Sequence, residues 1–195
     1  MNISQGAKGL RRELRFYKSK VERNLAAQGL SEATVKPLLE AIMEPSGLLG
    51  LYGTELLLLE KALGLKSGEL AVDLVGELVA VKHVPEGTGV SYGYLGQTTS
   101  AGNLGLVAVG FSDGIPRNAT NTFQVEIGGK NFKSIGRIAM DQCVIELGET
   151  NPELGAEVSF FNTNFTLVDW SNASGFTSLE ILGRITSRVT RVWVA

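Results

Sequence analysis

Side chains that commonly carry chemistry are sparse in this chain of 195 residues: one histidine, His83, and one cysteine, Cys143. One imidazole and one thiol cannot supply the usual ligand set of a zinc site, so no metal centre is expected. A single thiol also excludes an intrachain disulfide framework. His83 falls in the alternating run ELVAVKHV and reads as a strand residue rather than a base. Cys143, between Gln142 and Val144, reads as a small core residue rather than a nucleophile. The glycine-rich phosphate loop, the dinucleotide fingerprint, CxxC and HExxH are all absent. Tyr92, in GTGVSYG (87–93), carries a phenol. Its reference pKa of about 10 makes it a poor base near neutrality unless cations or donors stabilise the phenolate. Taken alone it reads as a strand aromatic. Asp113-Gly114, with Arg117 downstream, favours a structural turn that the arginine caps or pairs with.

The surrounding chain must hold these residues in a folded scaffold. A hydrophobic fraction of 44% and a charged fraction of 19% are those of a globular protein. The formal net charge of −2 gives no reason to expect nucleic acid or an anionic membrane as partner. Residues 1–23 do hold seven basic residues against two acidic ones, which reads as a solvated helix face. The first twenty residues contain no apolar signal core, and the uncharged run 87–112 is too polar for a membrane helix. A reduced, cytoplasmic protein is expected. The glycosylation patterns at Asn2, Asn118, Asn164 and Asn172 therefore read as polar turn and strand residues.

The periodicity changes near Lys66. Before it, Leu10, Leu14, Tyr17, Val21 and Leu25 predict one helical stripe ending at Gly29. A second helix over SEATVKPLLEAI is capped by Ser31 and kinked or restarted at Pro37, and a third, ELLLLEKAL, is capped by Thr54 and closed by Gly64. Residues 1–65 thus form a helical segment. After Lys66 the period is two: ELVAVKHV, LGLVAVGF, FQVEIGG, SIGRIAMDQCVIEL, EVSFFN and FTLVDW predict strands. A late helix, SLEILGRIT, precedes a last strand, RVTRVWVA. The fold class is mainly β, an antiparallel barrel-like or sandwich domain over 66–195 behind a small helical segment.

Three segments in order, GTGVSYG (87–93), VAVGFSDGIPR (107–117) and IGRIAMDQ (135–142), resemble the C-terminal β-domain of alanine racemase, as does the ending ILGRITSRVTRVWV. The MDQ motif is similar to the racemase branch rather than to related decarboxylases. The resemblance implies that Tyr92 is the family's proton-exchanging tyrosine. It implies that Met140 and Asp141 form the substrate-side turn, with the Met140 N–H receiving a carboxylate. Two positions depart from the family: Phe111 replaces a gate tyrosine, and Ser187 replaces a tyrosine that contacts the cofactor phosphate.

The family's (β/α)₈ barrel, which holds pyridoxal phosphate on a lysine, has no counterpart here. Residues 1–65 fall far short of the roughly 200 residues such a barrel needs. No cofactor is expected on this chain alone, and pyridoxal phosphate enters only through a partner barrel. The resemblance thus implies a stand-alone domain, inactive by itself, that supplies Tyr92 and the Met140 turn in trans and forms a homo-oligomer. The alternative is a non-catalytic assembly module that retains the fold, a reading that Phe111 and Ser187 favour.

Overall fold

A computed structural model describes residues 10–45, 47–65 and 69–195. Asn2 and the expected boundary at Lys66 lie outside the described residues. The first element corrects the helical stripe. Glu13–Tyr17 is a strand, β1, and helix α1 starts only at Lys18 and ends at Ala27. Leu14 and Phe16 alternate inward against Glu13, Arg15 and Tyr17, so this stretch carries a period of two. Pairing on both edges decides the outcome over the helical spacing.

Helix α2 (Glu32–Ile42) is capped by Ser31 as expected, but it continues through Pro37. Helix α3 (Thr54–Leu63) has Gly53, not Thr54, at its N-cap and ends on Gly64 in the left-handed conformation. Buried Asn24 ties α1 to this region: its Nδ2 donates to the Glu69 carbonyl at 2.6 Å, and its Oδ1 accepts the Glu69 N–H at 2.9 Å.

Strands β2 (Val72–Val84), β3 (Gly89–Val90), β4 (Gly96–Gln97), β5 (Gly102–Val107), β6 (Gln124–Ile127), β7 (Lys130–Lys133), β8 (Cys143–Gly148), β9 (Glu157–Ser159) and β10 (Thr190–Val194) build the sheets. The main ladder runs β10-β1-β2-β9-β6-β7, and a bridge between Ser134, just past β7, and Ile145 links its far end to β8. The long β2 serves two groups of strands. Its first half pairs with β1 and β9, its second half with β5, which continues to β8. The β1–β10 pair is parallel and the others antiparallel.

FTLVDW is a second correction. It opens helix α4 (Leu167–Ser174), because Thr166 and Asp169 form a reciprocal capping box that satisfies the first-turn donors. Helix α5 (Ser178–Arg184) begins with the same device, Thr177 and Glu180. Trp170 of α4 is fully buried among Phe123, Phe160, Phe161 and Phe165, and its indole N–H donates to the Phe160 carbonyl at 2.8 Å. Arg191 of β10 donates to the carbonyls of Ile42 and Ile185, satisfying the ends of α2 and α5.

The basic N-terminal stretch is not a free solvated face. Arg15 pairs with Glu13 and Glu157, Lys18 with Glu22, and Arg23 with Glu69. No described helix is long and apolar enough to cross a membrane.

Candidate functional site

The hairpin of β3 and β4 carries Tyr92 at its tip. The tip is backbone-strained at Ser91 and Tyr94, which have positive φ of 61° and 47°, while Gly93 takes its 73° freely. Side chains other than glycine avoid this region, and such residues persist only where their surroundings hold them. Tyr92 is 73% exposed, and its hydroxyl has no hydrogen-bond partner among the described residues.

The tip rests on the loop 134–142, which was expected to be strand and is regular only from Cys143 onward. Gly136, at φ 79°, lies so close that a Cβ there would meet Ser91 Oγ and the Val90 carbonyl at 2.8 Å. Asn121 pins the two together. It donates through Nδ2 to the Leu95 carbonyl at 3.0 Å and accepts the Gly136 N–H through Oδ1 at 2.5 Å. Sequence reasoning missed Asn121, whose partners are main-chain groups far along the chain.

Met140 sits in a turn closed by the Ala139 N–H donating to the Gln142 carbonyl at 3.0 Å. The carbonyls of Ala139 and Met140 accept the N–H groups of Phe111 and Ser112 at 3.0 and 2.9 Å. Only glycine fits at position 110, since a Cβ there would lie 2.3 Å from the Met140 carbonyl oxygen. These bonds leave the Met140 N–H with no acceptor among the described residues, and the side chain is 57% exposed. A main-chain N–H without an acceptor can receive an anion with no side-chain ordering.

The Asp113-Gly114 turn supports this arrangement from beneath. Asp113 is fully buried, and its Oδ2 accepts the Gly110 N–H at 2.8 Å. Burial pushes its carboxyl above the usual range, against the pull of the Gly110 N–H and the arginines beside it. Arg188 places Nε 3.3 Å from Asp113 Oδ1 and Nη2 2.6 Å from Asp141 Oδ1, so the exposed Asp141 is held to the buried turn. Arg188 was also missed. Arg117 does not cap the turn as anticipated; its guanidinium lies 5.3 Å from the centre of the Phe111 ring. Ser187 is exposed, next to Arg188.

GFSDG (110–114) has the spacing of a serine nucleophile elbow but not its strand–turn–helix setting, and Ser112 is engaged through its backbone. His83 is exposed on β2, its Nδ1 3.2 Å from Asn103 Oδ1. Cys143 is buried, which pushes its thiol pKa up and leaves it inert. No described group of three His, Cys, Asp or Glu residues could hold a metal ion.

The profile of the family described as "Alanine racemase, C-terminal domain" matches residues 71–193. The chain belongs to the alanine racemase C-terminal domain family. The alanine racemase of Streptomyces coelicolor is 46% identical over 125 residues, covering 62% of this chain and 32% of that relative. That of Frankia casuarinae is 39% identical over 128 residues, covering 64% and 33%. The crystal structure of alanine racemase from Streptomyces lavendulae superposes with a TM-score of 0.62 at 42% identity, covering 66% of this chain and 35% of that one. The chain thus spans about a third of the length of the racemases it matches. Strand β1 and helices α1–α3 lie outside the range of the family profile.

Pyridoxal phosphate, the cofactor that the family resemblance brings in, does not fit the described residues. Its covalent anchor would be a lysine facing Tyr92 and the Met140 turn. Neither of the two surface grooves that Lys133 lines includes Tyr92 or Met140. Of the other described lysines, Lys18, Lys36, Lys61, Lys82 and Lys130 are exposed on helices and strands of the scaffold, and Lys20 lies over the Tyr17 ring, in a groove that includes neither Tyr92 nor Met140.

Proposed function

We propose that this alanine racemase C-terminal-type domain acts in trans. It presents Tyr92 as the phenol that exchanges a proton at a substrate Cα, and the Met140 N–H as the donor to the substrate carboxylate, with Asp141 completing the turn. The substrate class is an amino acid, alanine in the first instance. The group that acidifies the Cα proton, and its lysine, belong to a separate pyridoxal phosphate barrel, so the chain alone is inactive. A homo-oligomer in the cytoplasm is the setting this reading calls for. The observation that carries it is the display of Tyr92. A structural tyrosine would be buried with its hydroxyl bonded, whereas this one stands exposed on a strained tip with no hydroxyl partner among the described residues.

Tyr92→Phe tests it. Loss of an exposed, unpaired hydroxyl leaves urea stability within about 0.5 kcal/mol of wild type. The same change abolishes racemisation reconstituted with a racemase barrel that lacks its own C-terminal domain. A destabilised variant with unaltered activity would refute the catalytic role.

The second reading, a non-catalytic assembly module, is favoured by Phe111 and Ser187. The Phe111 ring packs beside Arg117, and serine at 187 lacks the phenol that the family's tyrosine would offer a cofactor phosphate. Self-association or partner binding with no reconstituted racemisation would support that reading.

A further inference from the structure

We propose that Arg12, contributed by the N-terminal segment ahead of β1, is a positioning residue for the Met140–Asp141 turn. The functional weight of this proposal rests on reading that turn as the carboxylate site. Arg12 is largely buried, with side-chain exposure of 16%, and its Nε donates to the Ala108 carbonyl at 2.6 Å. The same Nε lies 3.4 Å from Asp113 Oδ1, and Nη2 lies 3.5 Å from the Asp141 carbonyl oxygen. Arg12 is fixed at its main chain too, because its carbonyl accepts the Thr190 N–H at 3.0 Å at the start of β10.

Two guanidinium groups therefore converge on one buried carboxylate oxygen. Among the described residues Asp113 Oδ1 has no hydrogen bond of good geometry, and it sits between Arg12 Nε and Arg188 Nε. Each arginine also reaches Asp141, Arg188 at the side chain and Arg12 at the carbonyl. Burying such a cluster is costly, and apolar residues of similar size would hold two segments together at least as well. What apolar residues would not do is fix the direction of the Asp141–Gln142 peptide, which closes the turn that carries the Met140 N–H. Arg12 lies outside the family-matched range 71–193, so the N-terminal segment would complete a site whose other parts lie within that range. Arg15, three residues on, makes its ion pairs with Glu13 and Glu157 instead and provides the control.

The test is amide hydrogen exchange on the full chain carrying Arg12→Gln, Arg12→Lys or Arg15→Gln. The reporters are the Phe111 and Ser112 amides, which bond the Ala139 and Met140 carbonyls. Arg12→Gln is expected to accelerate both by about tenfold or more, with the Trp170 amide unchanged. Arg12→Lys restores part of the protection, since an ammonium keeps the charge beside Asp113 without reaching Asp141. Arg15→Gln leaves both amides as in wild type. Unchanged amides in Arg12→Gln, or equal acceleration in Arg15→Gln, would overturn the proposal. If Arg12→Gln does not fold, Arg12→Lys is read on the same two amides, where acceleration supports the proposal and wild-type rates overturn it. In reconstituted racemisation, Arg12→Lys should raise KM for alanine several-fold with kcat nearly unchanged. A wild-type chain that reconstitutes no activity counts against the trans-acting function alone, because the amide result stands by itself.

Discussion

At Ser91 the backbone takes φ 61° and ψ −173°, a region open to glycine and costly for any residue with a Cβ. Ser91→Gly is therefore expected to stabilise the chain by about 1 kcal/mol in urea unfolding, the relieved strain exceeding the entropy lost on ordering glycine. A destabilisation of similar size would show that the tip is not strained. The same substitution loosens the mount of Tyr92, so reconstituted activity should fall while stability rises. Tyr92, Met140 and Asp141 were legible as candidates because they stand in short runs of recognisable order. Asn121, Arg188 and Arg12 were not. Each acts on groups remote in the chain, Asn121 on Leu95 and Gly136 and the arginines on Asp113 and Asp141, and no local spacing encodes such pairings. The expectation that Arg117 serves the Asp113 turn failed for the same reason, since Arg12 and Arg188 reach that carboxylate instead.

Strand β2 shows how one element couples the parts of the fold, and it carries a titrating group. Asp73 is buried, its Oδ1 accepts the Phe161 N–H at 2.9 Å, and burial pushes its carboxyl up to about 7. The unfolded chain releases this proton near pH 3.9, so between those values the folded state binds more protons. The contribution is fully present below about pH 4 and is lost as pH rises through 7, a change on the order of 4 kcal/mol. Asp73→Asn keeps an acceptor for Phe161 and removes the titration. Urea unfolding from pH 5 to 8 should show wild type losing stability relative to the variant, and parallel pH profiles would contradict the assignment. At this scale the longer strands after Lys66 were mostly legible from their period of two, though β3, β4 and β7 were not anticipated. The errors have definite causes. ELRFY fits both periods and is settled by its two neighbouring strands, while FTLVDW is apolar enough for a strand but is turned into helix by the Thr166–Asp169 capping box.

Across the whole molecule, β1 lies between β10 and β2, and Leu14 and Phe16 belong to the same buried core as the residues of the family-matched region. Residues 66–195 expressed alone should therefore melt well below the full chain, having lost a central strand and its buried side chains at roughly 1.5–3 kcal/mol each. An unchanged melting temperature and oligomeric state would show that the N-terminal segment is an independent appendage. This dependence was not legible from the sequence, because parallel pairing between the first and last strands leaves no trace in local periodicity. The central claim, that the chain completes an active site in trans, is tested most directly by titration. A fixed amount of pyridoxal phosphate-loaded racemase barrel lacking its own C-terminal domain is mixed with increasing amounts of this chain, and conversion of L-alanine to D-alanine is followed. The predicted result is no racemisation by either protein alone and a rate that rises and saturates as the chain is added. A rate that stays at the level of the barrel alone, or racemisation by the chain without the barrel, would contradict the claim.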